Sequence, residues 1–268
     1  MRQRILTAAL GIPLALAAIL ANSVWPVGVV CLVLYALGSL ELTRIYTGKK
    51  GGLASPSPGF VLGVAGIALI QDTRLVSFGL SILWALFALG IVGAVMLAIG
   101  HRKLPWRILG SFYLMAPLLG CVLLQRACVQ PDSTPFHWSQ LLFVVLPLWA
   151  GDTAAIFVGK AFGKHPLAPQ ISPGKTWEGA IANFICCVAV AVALCPPMDI
   201  PLWIGAFSGI LSGILGQLGD LLESKLKRSS GLKDSGSILP GHGGILDRID
   251  SLLLSALPVA TVLRLLAA

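Results

Sequence analysis

The sequence predicts an all-α integral membrane protein, a polytopic helical bundle of about nine transmembrane helices. Its N-terminus is expected in the cytoplasm and its C-terminus outside. Three observations lead there. Apolar residues make up 56% of the 268 positions and charged ones 11%, with a mean hydropathy of +0.89. A soluble domain is about 25% charged, and a soluble fold of this size could not hide so much apolar surface. The apolar residues form continuous runs near the roughly 20 residues a helix needs, not the alternating strands of a barrel. Lysine and arginine gather on every second connection between the runs. A cytosolic enzyme, a disordered chain and a disulfide scaffold are excluded.

Breaks in hydropathy place the apolar segments at roughly 5–22, 24–43, 58–71, 75–100, 107–125, 140–158, 179–198, 201–222 and 250–268. Arg2 and Arg4 before the first run resemble a signal peptide. The run is long, however, and a second follows almost at once, so a retained helix is expected. The third segment is short for a span, and the fourth is long enough to tilt. Basic residues lie at the N-terminus and in the second connection (Arg44, Lys49, Lys50), the fourth (Arg102, Lys103, Arg107), the sixth (Lys160, Lys164, Lys175) and the eighth (Lys225, Lys227, Arg228, Lys233, Arg248). The connections between these carry only Arg74 and Arg126. The positive-inside rule makes the rich face cytoplasmic. Because the net charge of +8 is spread over short loops, it reports topology and does not point to nucleic acid. All cysteines but Cys128 lie in apolar runs and no CxxC spacing occurs, so neither a zinc site nor a redox motif is expected.

Residues 1–268 read as a single transmembrane domain with two characters. Residues 1–140 hold only Glu41, Asp72 and Asp132 as acids, and a mainly structural or lipid-facing role is expected of them. Residues 141–268 hold the other eight acids, so the active site is expected there.

Three features of that half are costly or unusual. Asp152 sits in an apolar run near its cytoplasmic end, where a carboxylate costs at least about 2.5–3.5 kcal/mol. It is either a partner to a buried cation or part of a site at the inner membrane face. The sixth connection interleaves Gly159, Gly163 and Gly174 with Lys160, Lys164 and Lys175, while Pro166, Pro169 and Pro173 forbid a helix. Bare amides and ammonium groups together suit anions, either a substrate phosphate or anionic lipid. Ser172–Glu178 resembles a helix start. The third feature runs from Gly219 to Asp250, where acids, bases and the His242-Gly243-Gly244 turn crowd between two spans. Asp220 is expected to end the entering helix and Asp247 to begin the leaving one. If those ends lie close, the two carboxylates could share a hard cation such as Mg²⁺, which is usually held by one or two carboxylates and substrate phosphates. Together these features suit phosphoryl or nucleotidyl transfer to a lipid, chemistry that consists mostly of positioning and charge stabilisation.

Ser224, Lys227, Arg228, Lys233, Asp234, His242, Gly243, Gly244, Asp247, Arg248 and Asp250 fill every fixed position of a pattern that resembles the signature of CDP-diacylglycerol synthases, also called phosphatidate cytidylyltransferases. Ser172–Glu178 and Gly151–Ala154 also resemble that family, and Arg4–Ala8 with Pro13 does so more weakly. The resemblance implies the reaction CTP + phosphatidate → CDP-diacylglycerol + pyrophosphate. It also implies Mg²⁺ dependence, allows a monovalent cation such as K⁺ beside the Mg²⁺, and implies a homodimer. On it, Asp220 and Asp247 are expected to hold the metal, and Lys225, Lys227, Arg228 and Lys233 the CTP phosphates. Lys175 and Arg248 are expected on either phosphate. Ser224, His242, Gly243 and Gly244 would shape the nucleotide loop, with His242 as a hydrogen-bond donor or, as the alternative, a proton carrier. Asp152 would support the metal or line the lipid entry. Phosphatidate in the inner leaflet and cytosolic CTP place the expected site at the cytoplasmic face of a bacterial inner membrane. Two alternatives differ in product: a CTP-dependent polyprenol or phytol kinase, and an ion-coupled transporter.

Overall fold

The structure is a computed structural model that describes residues 2–47, 64, 66, 73–101, 106–126, 138–238 and 243–266. Its elements are α1 (Arg2–Leu20), α2 (Val24–Thr47), α3 (Thr73–Ala98), α4 (Trp106–Arg126), α5 (Leu142–Phe162), β1 (Pro166–Ala168), β2 (Ser172–Thr176), α6 (Trp177–Ala193), α7 (Leu202–Ser229) and α8 (Leu246–Leu266). The all-α polytopic class is as expected. Six of these helices, α2 to α5, α7 and α8, are long and apolar enough to cross a membrane, while α6 and the apolar part of α1 are shorter. The expected third segment, 58–71, lies almost wholly outside the described residues.

Helices α5 to α8 pack in chain order, α8 then packs on α4, and α4 packs on α2 and α3. The centre of the bundle is therefore α4 against α8, with Leu114, Leu118, Val122, Leu253, Leu257 and Val259 almost wholly buried. The outward faces show the reverse pattern. Val29, Leu89, Phe157, Ile185 and Leu218 are exposed, as expected where the surroundings are lipid and not water. Exposed Trp25, Trp138 and Trp203 stand at one end of the bundle, and Trp177 at the other. This is the interfacial position that indole prefers.

The end marked by Trp177 also carries the C-terminal ends of α2, α5 and α7, the N-terminal ends of α6 and α8, and the hairpin. Leu42 of α2 meets Gly93 of α3 and Gly110 of α4 around one recess, so the C-terminal part of α3 lies at that end too. Thr47 and Thr73 consequently lie at opposite ends of the bundle, which agrees with the alternation read from the basic residues.

Two local expectations are corrected. Helix α7 does not end at Asp220 but continues through Ser229, so Asp220, Glu223, Ser224 and Lys227 share one helical face. Lys227 and Arg228 in the last turn favour this extension by opposing the helix dipole. The sixth connection is not merely a loop. Pro166 pairs with Thr176 and Ala168 with Ser172 in an antiparallel hairpin. The expected helix start survives directly after it: Thr176 caps α6 by accepting from the Gly179 amide, with Glu178 in the first turn.

Candidate active site

Two groups of charged side chains meet at the basic end. The first lies on the rim, where α5, β2, α7 and α8 converge. Lys175 of β2 places Nζ 2.5 Å from Oδ2 of Asp220, and both side chains are partly exposed. Ser224 Oγ, one turn along α7, donates to Asp220 Oδ1 at 3.3 Å. Asp152 is exposed on α5, and its Oδ1 accepts from Asn183 Nδ2 of α6 at 3.1 Å. It lies within the fields of Asp220, Lys175 and Arg248. Asp250 of α8 lies within the fields of Asp220 and Asp152. Three carboxylates from three helices thus share one neighbourhood. Gly219 makes the convergence sterically feasible. A Cβ there would run into the Asp250 backbone carbonyl, so only glycine lets α7 and α8 cross this closely.

The second group is interior. Lys227 Nζ lies 2.5 Å from Asp247 Oδ1 and 3.2 Å from Glu223 Oε1, and all three side chains are nearly excluded from water. Asp247 also accepts from the amide of Gly244 at 2.9 Å and from the amide and hydroxyl of Ser235 at 3.1 and 3.0 Å. Glu223 is held by its contact with Lys227. Tyr113 of α4 brings a buried hydroxyl, without a hydrogen bond among the described residues, into the field of Glu223 and Asp250.

The remaining expected residues lie around these groups. Arg228 is exposed and ties the end of α7 to the hairpin, its Nε donating to the Ile171 carbonyl at 3.3 Å and its Nη1 to Leu232 at 3.1 Å. Lys225 and Lys233 are exposed and carry no ion pair among the described residues. Arg248 is exposed at the start of α8. Gly243 takes a left-handed φ of 83° at the turn before α8. His242 lies outside the described residues. At the hairpin, His165 Nδ1 stands 2.6 Å from Glu178 Oε1. Glu178's own amide, at the start of α6, and then the His165 contact pull the Glu178 carboxyl down to about 2.

The structure therefore brings Asp220, Lys175, Ser224 and Asp152 together, and separately Asp247 with Lys227 and Gly244. Lys227 was expected to face CTP but is held between two carboxylates. Sequence reasoning gave no role to Glu41, Asn183, Glu223, Ser235 or Tyr113. Glu41 carried a usable signal, a lone acid in an apolar run, as costly as Asp152. Glu223 carried another, since it shares a helix face with Asp220 and Lys227. The groups offered to a cation are oxygens, the carboxylates of Asp152, Asp220 and Asp250 with the Ser224 hydroxyl beside them, a set suited to a hard ion. Among the described residues no three acidic, histidine or cysteine side chains close around a common point. Such a cation would have to complete its shell with water or substrate oxygens.

Comparison with known proteins points the same way. The chain matches the cytidylyltransferase family over residues 2–266. It is 34% identical over 272 residues to a phosphatidate cytidylyltransferase of Pseudomonas aeruginosa, covering 98% of this chain and 96% of that protein. A phosphatidate cytidylyltransferase of Brucella suis is 36% identical over 198 residues, covering 72% of this chain and 67% of that one. One from Staphylococcus saprophyticus is 47% identical over 125 residues. That match spans about half of each protein, 46% of this chain and 48% of the relative.

Proposed function

The chain belongs to the cytidylyltransferase family, and from that premise we propose that it catalyses CTP + phosphatidate → CDP-diacylglycerol + pyrophosphate. One observation carries the reading. Ser224, Lys227, Asp247 and Asp250 of the family-like pattern lie where α7 meets α8 at the basic end of a membrane bundle, Ser224 and Asp250 in a rim group with Lys175, Asp220 and Asp152 and the other two in the interior group beside it.

In this reading the lipid phosphate attacks the α-phosphorus of CTP and pyrophosphate leaves in line. The nucleophile is already an anion, so the protein needs no strong base. Its task is to hold two polyanions together against their repulsion and to stabilise the charge that gathers on the leaving group. Exposed Lys225, Arg228 and Lys233 hold the triphosphate from the cytosol. Lys175 and Arg248, on the rim beside Asp152, take the lipid phosphate or the nucleotide. Lys227 takes part from within by keeping Asp247 and Glu223 in place. Ser224, Gly243, Gly244 and His242 shape the nucleotide loop.

Mg²⁺ would be held by Asp220 and Asp247, and K⁺ beside it is part of the same proposal. The shared neighbourhood of the Asp152, Asp220 and Asp250 carboxylates supports a hard cation here. Bound there, the metal would polarise the phosphoryl oxygens as a Lewis acid. The site would face the cytoplasm of a bacterial inner membrane, where phosphatidate presents its head group. The homodimer is proposed on the family resemblance alone.

The test uses purified protein in detergent with phosphatidate, Mg²⁺ and CTP labelled in the cytosine ring. Label is expected in the lipid fraction, and is expected to be lost with chelator and in Asp220→Ala and Asp247→Asn. Equal transfer in the variants would remove the metal assignment and leave the reaction. Consumption of CTP only with a polyprenol or phytol would replace the reading with a kinase. No reaction with any lipid would return the transporter.

A further inference from the structure

Glu41 is the only acid among the described residues of the first four helices, and it is 3% exposed. It stands on α2, far in sequence from every expected site residue, yet its carboxylate is wholly engaged with the 235–246 region. Oε1 accepts from the Ile245 amide at 3.0 Å. Oε2 accepts from the Leu246 amide at 2.9 Å and from Ser235 Oγ at 2.8 Å. Ile245 and Leu246 open α8, where amides have no acceptor within the helix and the dipole favours an anion. Glu41 thus caps α8 from another helix. The backbone around it is built to let it in, because a Cβ on either Gly236 or Gly244 would collide with its carboxylate oxygens.

The contact does not stop at the cap. Ser235 Oγ also lies 3.0 Å from Asp247 Oδ2. A hydroxyl has one proton to give, so Ser235 serves two carboxylates at once and its orientation depends on both. Asp247 in turn holds Lys227, which pairs with Glu223. A continuous polar path therefore runs from α2 through the loop before α8 to the interior ion pairs of α7.

We infer that Glu41 is a positioning residue of the reaction centre. Through Ser235 and the first amides of α8 it fixes the Asp247 carboxylate, and through Asp247 the ammonium of Lys227. As a role in catalysis, this rests on the function proposed above. Glutamine at this position has the right shape but offers one acceptor oxygen and an NH₂ group. It cannot accept from both amides and the hydroxyl, and whichever way it turns its NH₂ group faces a donor, so the hold on the start of α8 or on Ser235 is lost.

The experiment compares full-length wild type, Glu41→Gln, Ser235→Ala, the double variant and a control, Ser39→Ala. Ser39 is on the same helix and bonds only its own turn, at the Ala36 carbonyl. One readout does not depend on catalysis: the acetylation rate of Lys227, followed by mass spectrometry relative to exposed Lys225 on the same helix. The other readouts are kcat for transfer of labelled CMP to lipid and the Mg²⁺ concentration at half-maximal rate. Glu41→Gln is expected to raise the Lys227 to Lys225 ratio and to lower kcat by about tenfold or more, with a higher Mg²⁺ requirement. Adding Ser235→Ala to it should change little, since both act on one link. Ser39→Ala should match wild type throughout. The inference is overturned if the ratio and kcat stay at wild-type values. It is also overturned if Lys225 and Lys227 accelerate together, which is general loosening and a structural role only. Wild type that transfers no label would sink the proposed function, while the lysine ratio still decides whether Glu41 holds Asp247 and Lys227.

Discussion

Lys175–Asp220 and Lys227–Asp247 are the same chemical pair at the same 2.5 Å separation, and they differ in their access to water. The first pair has side chains 25% and 31% exposed, the second 9% and 10%. A partly solvated pair gains little net energy and can exchange partners. A buried pair is costly to break, because removing one member strands the other charge. Equal distances therefore do not mean equal work. In the proposed function the rim pair gives up its counter-ion to a substrate phosphate, whereas the interior pair joins α7 to the start of α8.

That contrast can be broken most severely from the inside. Lys227→Met leaves Asp247 and Glu223 without their shared cation and is expected to cost about 3–5 kcal/mol. Thermal unfolding in detergent checks this, and a variant as stable as wild type would remove the distinction. Prying the rim carboxylates apart comes next. Gly219→Val forces α7 off the Asp250 carbonyl, an overpacking cost of about 1–3 kcal/mol. Asp250 should then no longer feel Asp220, and both stability and transfer should fall together. Asp220→Asn sharpens the comparison in the opposite sense. Stability should change by less than about 1 kcal/mol, while label transfer to lipid falls by about 100-fold or more. A parallel loss of both would show that the rim pair is structural after all.

The smallest effect concerns the hairpin that carries Lys175. The Glu178 carboxyl lies at about 2, below its ordinary 4.5. Because the folded value is depressed, its contribution to stability is fully present above about 4.5 and is lost as the pH falls through about 2. Hydrogen exchange of residues 163–176 should quicken across that window in wild type. Glu178→Gln should exchange at the faster rate throughout, and identical profiles would show that His165 and Glu178 do not hold the hairpin.

How much of this was legible follows from where each signal resides. The helical membrane class was readable because lipid demands long apolar runs. The extension of α7 to Ser229 was not. Asp220 to Arg228 is polar enough to pass for a loop, and its helicity is supported by partners such as Asp247, Ile171 and Lys175 that lie elsewhere in the chain. The hairpin was hidden by the same glycines and prolines that correctly ruled out a helix. Asp152, Lys175, Asp220 and Asp247 could each be chosen from the sequence, because a charge in or beside an apolar run needs a reason. Their division into a rim group and an interior group could not, since water access depends on which helices cover each side chain.

The amino-acid sequence by itself determined that this chain lives in a membrane, which half carries most of the acids and which family it belongs to, because composition, run length and a fixed motif are local properties. Only the tertiary structure decided that Lys227 is a buried counter-ion, that Gly219 lets Asp250 approach Asp220, and that Glu41 reaches across to the start of α8. Those facts depend on close approach between helices distant in sequence, and no local pattern encodes a distance.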